Sequence, residues 1–187
     1  MLKSQAEIVA IELVGSTTVQ RISIQELINR AILEKDPAKR SLIMHGISQH
    51  FRDIAWGLAG SGKRIVFIDI PSDIPEYEVV IKTKEARKIA STAPHDSEAR
   101  ERYRKQLSEA ITLRNKIAGQ QIADILSSNP GAHVLAVMGA AHHRIRDNLQ
   151  QYELPIKKVS LIPRYGQEIT LTEDDNLPAY IYHTDTV

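Results

Sequence analysis

The chain has 187 residues, enough for one domain with a substantial core, and its 24 Lys plus Arg nearly balance 23 Asp plus Glu. That balance leaves no global field to recruit nucleic acid or an anionic membrane, so neither is expected as a partner. The absence of cysteine excludes disulfides, thiolate metal sites and cysteine nucleophiles. With no signal-like or membrane-spanning apolar stretch, the simplest compartment is the cytoplasm.

Taken in order, Ile8 to Val14 is an apolar run closed by Gly15-Ser-Thr-Thr18, the pattern of a buried strand and a turn. Glu12 is the anomaly inside it. A carboxylate there costs several kcal/mol to ionise unless it is paired, hydrogen-bonded or bound to metal; otherwise it sits at a wet strand end.

Ser23-Ile-Gln-Glu26 has capping-box spacing and predicts a short helix from Ile24 to Leu33. Asp36-Pro37 starts the next. Leu42, Ile43, Ile47, Phe51, Ile54, Ala55 and Leu58 recur at helical spacing and predict one amphipathic helix ending at Gly60 or Gly62. His45 and His50 are five apart, a poor spacing for one face, and read as surface or packing histidines.

Gly57 to Lys63 has the glycine and lysine spacing of a phosphate-binding loop but the wrong context. Such a loop needs a strand before it and a helix after it, and here the order is reversed, with Arg64 where Ser or Thr is required. The glycines read instead as left-handed helix ends. The strand Arg64 to Ile70 follows, and Asp69 near its end is a candidate site residue or a cap of the turn at Pro71-Ser-Asp73.

Residues 74–94 are polar and mixed, with a helix around Lys84 to Ala90. Asp96 or Ser97 caps a long helix to about Ser128, ended by Asn129-Pro-Gly131. Its apolar stripe is Leu107, Ile111, Ala118, Ile122, Ile125 and Leu126. Arg114 lies on or beside that stripe and must pair or reach solvent.

His133 to His143 organises the rest. Val134 to Met138 is apolar without a solvated face, which favours a parallel strand buried on both sides. Gly139, Ala140 and Ala141 allow close backbone packing at its carboxyl end, where ligands of open α/β sheets bind. A helix from Arg144 to Tyr152 would aim its first N–H groups at the same place, beside His142. Downstream, Ile156 to Ile162 reads as a strand, Glu168 to Leu171 and Tyr180 to His183 as short edge strands, and Glu173-Asp-Asp175 as a solvated loop. These elements predict an α/β three-layer domain with a mainly parallel central sheet, spanning residues 1–187.

The run from Arg114 to Leu126, followed by a strand and Met138-Gly-Ala-Ala-His-His143, resembles the carboxyl half of the TraB/TIKI/ChaN superfamily, relatives of erythromycin esterase. There an Arg-bearing helix precedes a strand ending in Gly-x-x-His. Ile8 to Val14 resembles that family's earlier strand carrying a glutamate, and Ala55 to Asp69 its helix–Gly–strand segment. The resemblance implies a metal-dependent hydrolase of a peptide or ester bond, acting on a small-molecule or peptide substrate. His142, Glu12 and Arg114 would be catalytic. His142 and Glu12, with Asp69 or His143 as further ligands, would hold a divalent metal such as Mn, Co or Zn. The chain departs from the family in having no Gly-x-x-His upstream of Glu12, and in carrying Leu113 where a glutamate often precedes the arginine. The alternatives are a non-catalytic binding or scaffold module, and haem or small-ligand capture as in the ChaN branch. The sequence leaves a homo-oligomer open.

Overall fold

A computed structural model describes residues 6–93, 95–139, 145, 156–159 and 179–184, the last two segments as backbone strands. The chain runs β1 (Ile8–Glu12), α1 (Thr18–Leu33), α2 (Pro37–Ile43), α3 (Gln49–Leu58), β2 (Arg64–Ile68), α4 (Glu78–Thr92), α5 (Ser97–Ser128), β3 (Val134–Gly139), β4 (Ile156–Val159) and β5 (Ala179–Thr184). The strands form one sheet in the order β2-β1-β3-β5-β4, each neighbouring pair parallel. The molecule is an α/β fold, as its alternation of apolar runs and helical stripes predicts.

Period-two alternation along the strands sends side chains to opposite faces, and helices receive them on both. Ile8 and Ala10 of β1 with Val134, Ala136 and Met138 of β3 pack against Ala118, Ile122 and Leu126 of α5. Val9 and Ile11, with Ile65 and Phe67 of β2, pack against Ile28, Ala31 and Ile32 of α1 and Ala55 of α3. Each fully buried aliphatic side chain contributes about 1.5–3 kcal/mol, so these two clusters hold the layers together. The expected helix at 144–152 is described only at Ile145, which is helical and buried in the α5-side cluster.

The connection from β1 to β2 runs through α1, α2 and α3 on one face. The connection from β2 to β3 runs through α4 and α5, with α5 on the other. The chain steps from β1 outward to β2 and then returns past β1 to β3, so the strand order reverses between β1 and β3, the kind of place where ligands of open α/β sheets bind at the carboxyl ends of the strands.

Among the described strands β2 lies at an edge, and side-chain amides of the helices bond its outer backbone groups. Asn29 of α1 accepts from Ile65 N at 2.7 Å and donates to Ile65 O at 3.0 Å. Gln25 accepts from Phe67 N at 2.9 Å, and Gln121 of α5 accepts from Asp69 N at 2.6 Å. Backbone groups that would invite pairing with another chain are thus satisfied within the fold.

Five sequence expectations are corrected. The first strand, expected to Val14, ends at Glu12. The first helix starts at Thr18 rather than Ile24, because Thr17 and Gln20 form the working capping box, with bonds of 3.2 and 3.0 Å. The same spacing occurs twice, and the turn at Gly15 (φ 91°) places the earlier pair at the helix start. The single helix expected up to Gly60 is two, α2 and α3, broken at Gly46 (φ 83°); Ile43, Ile47, Phe51, Ile54 and Leu58 still converge on one cluster. The strand expected to Ile70 ends at Ile68. Tyr180 to His183 is not at an edge, since β5 lies between β3 and β4.

The helix around Lys84 is longer than expected, α4, entered through a 3-10 turn at Pro75–Tyr77. Helix α5 has the expected bounds. Its cap is Asp96, accepting from Glu98 N and Ala99 N at 2.9 and 3.0 Å. Gly60 and Gly62 have φ of 71° and 72° between α3 and β2, and Lys63 Nζ donates to the Ala6 carbonyl, so the phosphate-loop lookalike is a helix end. His45 and His50 are exposed. The strand expected at Glu168 to Leu171 and the acidic loop at Glu173 to Asp175 lie outside the described residues. Among the described residues no helix is long and apolar enough to cross a membrane.

Candidate functional site

Glu12 is the last residue of β1, beside the point where the strand order reverses, with a side chain 18% exposed. It pairs in register with Ile68, whose side chain belongs to the α5-side cluster, so its carboxylate faces α5. Its Oε2 accepts the Gly139 N–H at 2.5 Å, joining the carboxyl ends of β1 and β3 where the strand order reverses. Its Oε1 accepts from Arg114 Nη2. Glu12 is therefore a hydrogen-bonded, ion-paired carboxylate, the condition under which a strand interior tolerates one.

Arg114 projects from α5 into the space between β1 and β2. Its Nε donates to Asp69 Oδ2 at 2.9 Å and Oδ1 at 3.1 Å, and its Nη2 donates to Oδ2 at 2.5 Å and to Glu12. Burial opposes its charge, but the hydrogen bonds and charges of Asp69 and Glu12 outweigh burial and hold the guanidinium above its ordinary pKa. The arginine that the sequence required to pair does so twice, with one cation between two carboxylates.

Asp69 follows the last residue of β2 and is fully buried. Strict alternation would point it toward α1 with Phe67. Its backbone has φ 93°, a left-handed conformation that costs an L-residue about 1–3 kcal/mol, and its carboxylate meets α5 instead. Two groups hold it there. Gln121 bonds both its N–H, at 2.6 Å, and its carbonyl, at 3.3 Å. Arg21 of α1 donates to the carbonyls of Asp69 and Ile70, both at 2.7 Å, and to that of Leu13. Asp69 Oδ1 also accepts Ile70 N at 2.7 Å, so the carboxylate bridges its own turn as well as reaching Arg114.

Burial lowers the pKa of Arg21, opposed by the charges of Asp69, Asp73 and Tyr77. Asp73 in turn accepts Thr18 N at 2.8 Å and Thr18 Oγ1 at 2.9 Å, tying the turn after β2 to the start of α1. Of the two expectations for Asp69, site residue and turn cap, the structure shows it reaching Arg114 and also accepting from Ile70 N in its own turn, while Asp73 braces the start of α1.

The structure thus brings together Glu12, Arg114 and Asp69 from the sequence candidates. His142 and His143 lie outside the described residues. Among the described residues, no three His, Asp or Glu side chains are grouped to hold a metal ion. Sequence reasoning missed Arg21 and Gln121. Gln121 is seven residues after Arg114 and hence on the same helix face, a polar residue beside the apolar stripe. Arg21 is a cation in the first turn of α1, where the helix dipole disfavours it, a sign that it is recruited by something else.

The metal implied by the resemblance can be tested against this donor set. Asp69 does not suit it: its carboxylate is fully buried and both oxygens are engaged by Arg114, one of them also by the Ile70 N–H. Glu12 fits better only in access: its side chain is 18% exposed against 0% for Asp69, while its two oxygens are engaged by Arg114 and the Gly139 N–H. Comparison with protein-family models, curated proteins and solved structures gives no match for this chain.

Proposed function

We propose that the chain is a TraB/TIKI-like hydrolase of the cytoplasm, cutting a peptide or ester bond in a small-molecule or peptide substrate. The observation that carries this reading is the contact of Glu12 with the Gly139 N–H, which sets a charged side chain at the sheet's topological switch point. Glu12 and His142, with His143 in the same segment, are the residues that would hold a divalent cation, Mn, Co or Zn. When bound, such an ion supplies Lewis acidity to the scissile carbonyl.

The chain's own residues do the rest. Glu12 presents a partly exposed carboxylate. Arg114 and the Gly139 N–H fix the orientation of that carboxylate, as outer hydrogen bonds commonly orient a ligating group. Asp69 fixes Arg114 from below.

The test is metal retention and turnover by the full chain. After chelation and reloading with Mn, wild type should keep stoichiometric metal through gel filtration and hydrolyse p-nitrophenyl acetate, and His142→Ala and Glu12→Gln should lose both. Wild type without metal-dependent turnover would overturn the proposal.

One observation favours the non-catalytic alternative. Arg114 engages both oxygens of Asp69, which leaves Glu12 and His142 as the two clear ligand candidates and His143 as the third to be recruited, where a catalytic site usually takes about three protein ligands. On that reading metal binds weakly and His142→Ala changes little.

A further inference from the structure

The conformation of Asp69 is expensive and unusually well supported. Glycine adopts φ near 93° freely, yet an aspartate stands there, fully buried, with φ held by groups from opposite faces of the sheet: Arg21 from α1 and Gln121 from α5. Backbone strain persists where the surroundings over-determine it, and the inference runs from such an outlier to a use for it. What the conformation achieves is geometric. It turns the carboxylate from the α1 side to the α5 side, where its oxygens receive Nε and Nη2 of Arg114. The same Nη2 donates to Glu12. A glycine would remove the strain and the carboxylate together, and Arg114 would then lack the partner that fixes the plane of its guanidinium.

We infer that Asp69 is a positioning residue of this site, held in a glycine-type backbone conformation by Arg21 and Gln121 so that its carboxylate sets Arg114 against Glu12. Asp69 touches neither substrate nor metal; it acts through Arg114. For its kinetic consequence the inference rests on the hydrolase reading, and for its geometric consequence it does not.

The experiment compares the full chain as wild type, Asp69→Asn, Arg114→Gln and the double variant. Asparagine tolerates the left-handed conformation and keeps the side-chain shape while removing the charge. Two readouts are taken: hydrogen exchange of the Arg114 Nε–H by proton–nitrogen NMR, assigned by its loss in Arg114→Gln, and Mn-supported hydrolysis of p-nitrophenyl acetate. Asp69→Asn should speed exchange of the Nε–H at least about 10-fold and lower kcat about 10–100-fold, the range for outer-shell partners, while KM moves by no more than about twofold. The double variant should lose no more activity than Arg114→Gln alone, because the two residues act in series. It also removes the unbalanced cation, so the comparison survives if Asp69→Asn folds poorly. An Arg114 Nε–H in Asp69→Asn as protected as in wild type, or losses that add in the double variant, would overturn the inference. If wild type shows no Mn-dependent hydrolysis, the hydrolase reading falls and the exchange comparison alone decides the role of Asp69.

Discussion

Arg114 and Asp69, 45 residues apart in sequence, meet with Nε at 2.9 Å and Nη2 at 2.5 Å from the same carboxylate oxygen, Oδ2. The arginine thereby joins α5 to the end of β2, and through Glu12 to the end of β1. Removing one member of a buried ion pair leaves the other charge uncompensated, which typically costs about 3–5 kcal/mol. Arg114→Met should therefore destabilise the chain by roughly that amount in urea unfolding, despite keeping an apolar stem of similar length. A loss under about 1 kcal/mol would show that the pair is solvent-screened rather than buried.

Arg21 serves three carbonyls, of Leu13, Asp69 and Ile70. A carbonyl left buried and unsatisfied costs about 1–3 kcal/mol, so Arg21→Met should cost on the order of 2 kcal/mol or more. Arg21→Lys should recover only part of this, because a compact ammonium cannot span three acceptors as the planar guanidinium does. The amides of Asp69 and Ile70 should exchange faster in both variants, measured by native-state hydrogen exchange.

Asp73 should make the start of α1 sensitive to acid. Its pKa is lowered from 3.8, first by the hydrogen bond from the Thr18 backbone N–H and then by that from the Thr18 hydroxyl. A depressed folded-state pKa contributes stability above the unfolded value, and that contribution is lost as pH falls through the folded pKa. The window therefore opens near pH 4 and extends below it. Asp73→Asn retains an acceptor but cannot titrate. Its thermal midpoint should fall less than that of wild type between pH 5 and pH 3, and parallel curves would remove Asp73 from the account.

The glycines before β2 should matter for the backbone and not for phosphate. ATP and GTP should give no binding heat in calorimetry with wild type or with Lys63→Ala, because a helix precedes the loop and a strand follows it. Gly60→Ala, at φ 71°, should cost about 1 kcal/mol from the left-handed conformation alone. Tight nucleotide binding that Lys63→Ala abolishes would contradict this reading.

The sequence by itself determined the local elements and the residues in electrostatic difficulty. Ile8 to Glu12 and Val134 to Gly139 are strands because their apolar runs have no wet face, and α5 has its expected bounds because Asp96 caps one end and Asn129-Pro-Gly closes the other. Glu12 and Arg114 were legible as charges needing partners, since ionisable groups in apolar surroundings carry that requirement wherever they sit. Tertiary structure decided who the partners are. Glu12 and Arg114 are 102 residues apart, and only the order β2-β1-β3, with α5 over one face, brings them within bonding distance. The same holds for β5, whose interior place depends on its neighbours and not on its own composition. It holds most clearly for Asp69: local sequence favours an ordinary extended residue there, and φ 93° arises because Arg21 and Gln121, from helices on opposite faces, supply bonds that outweigh the strain.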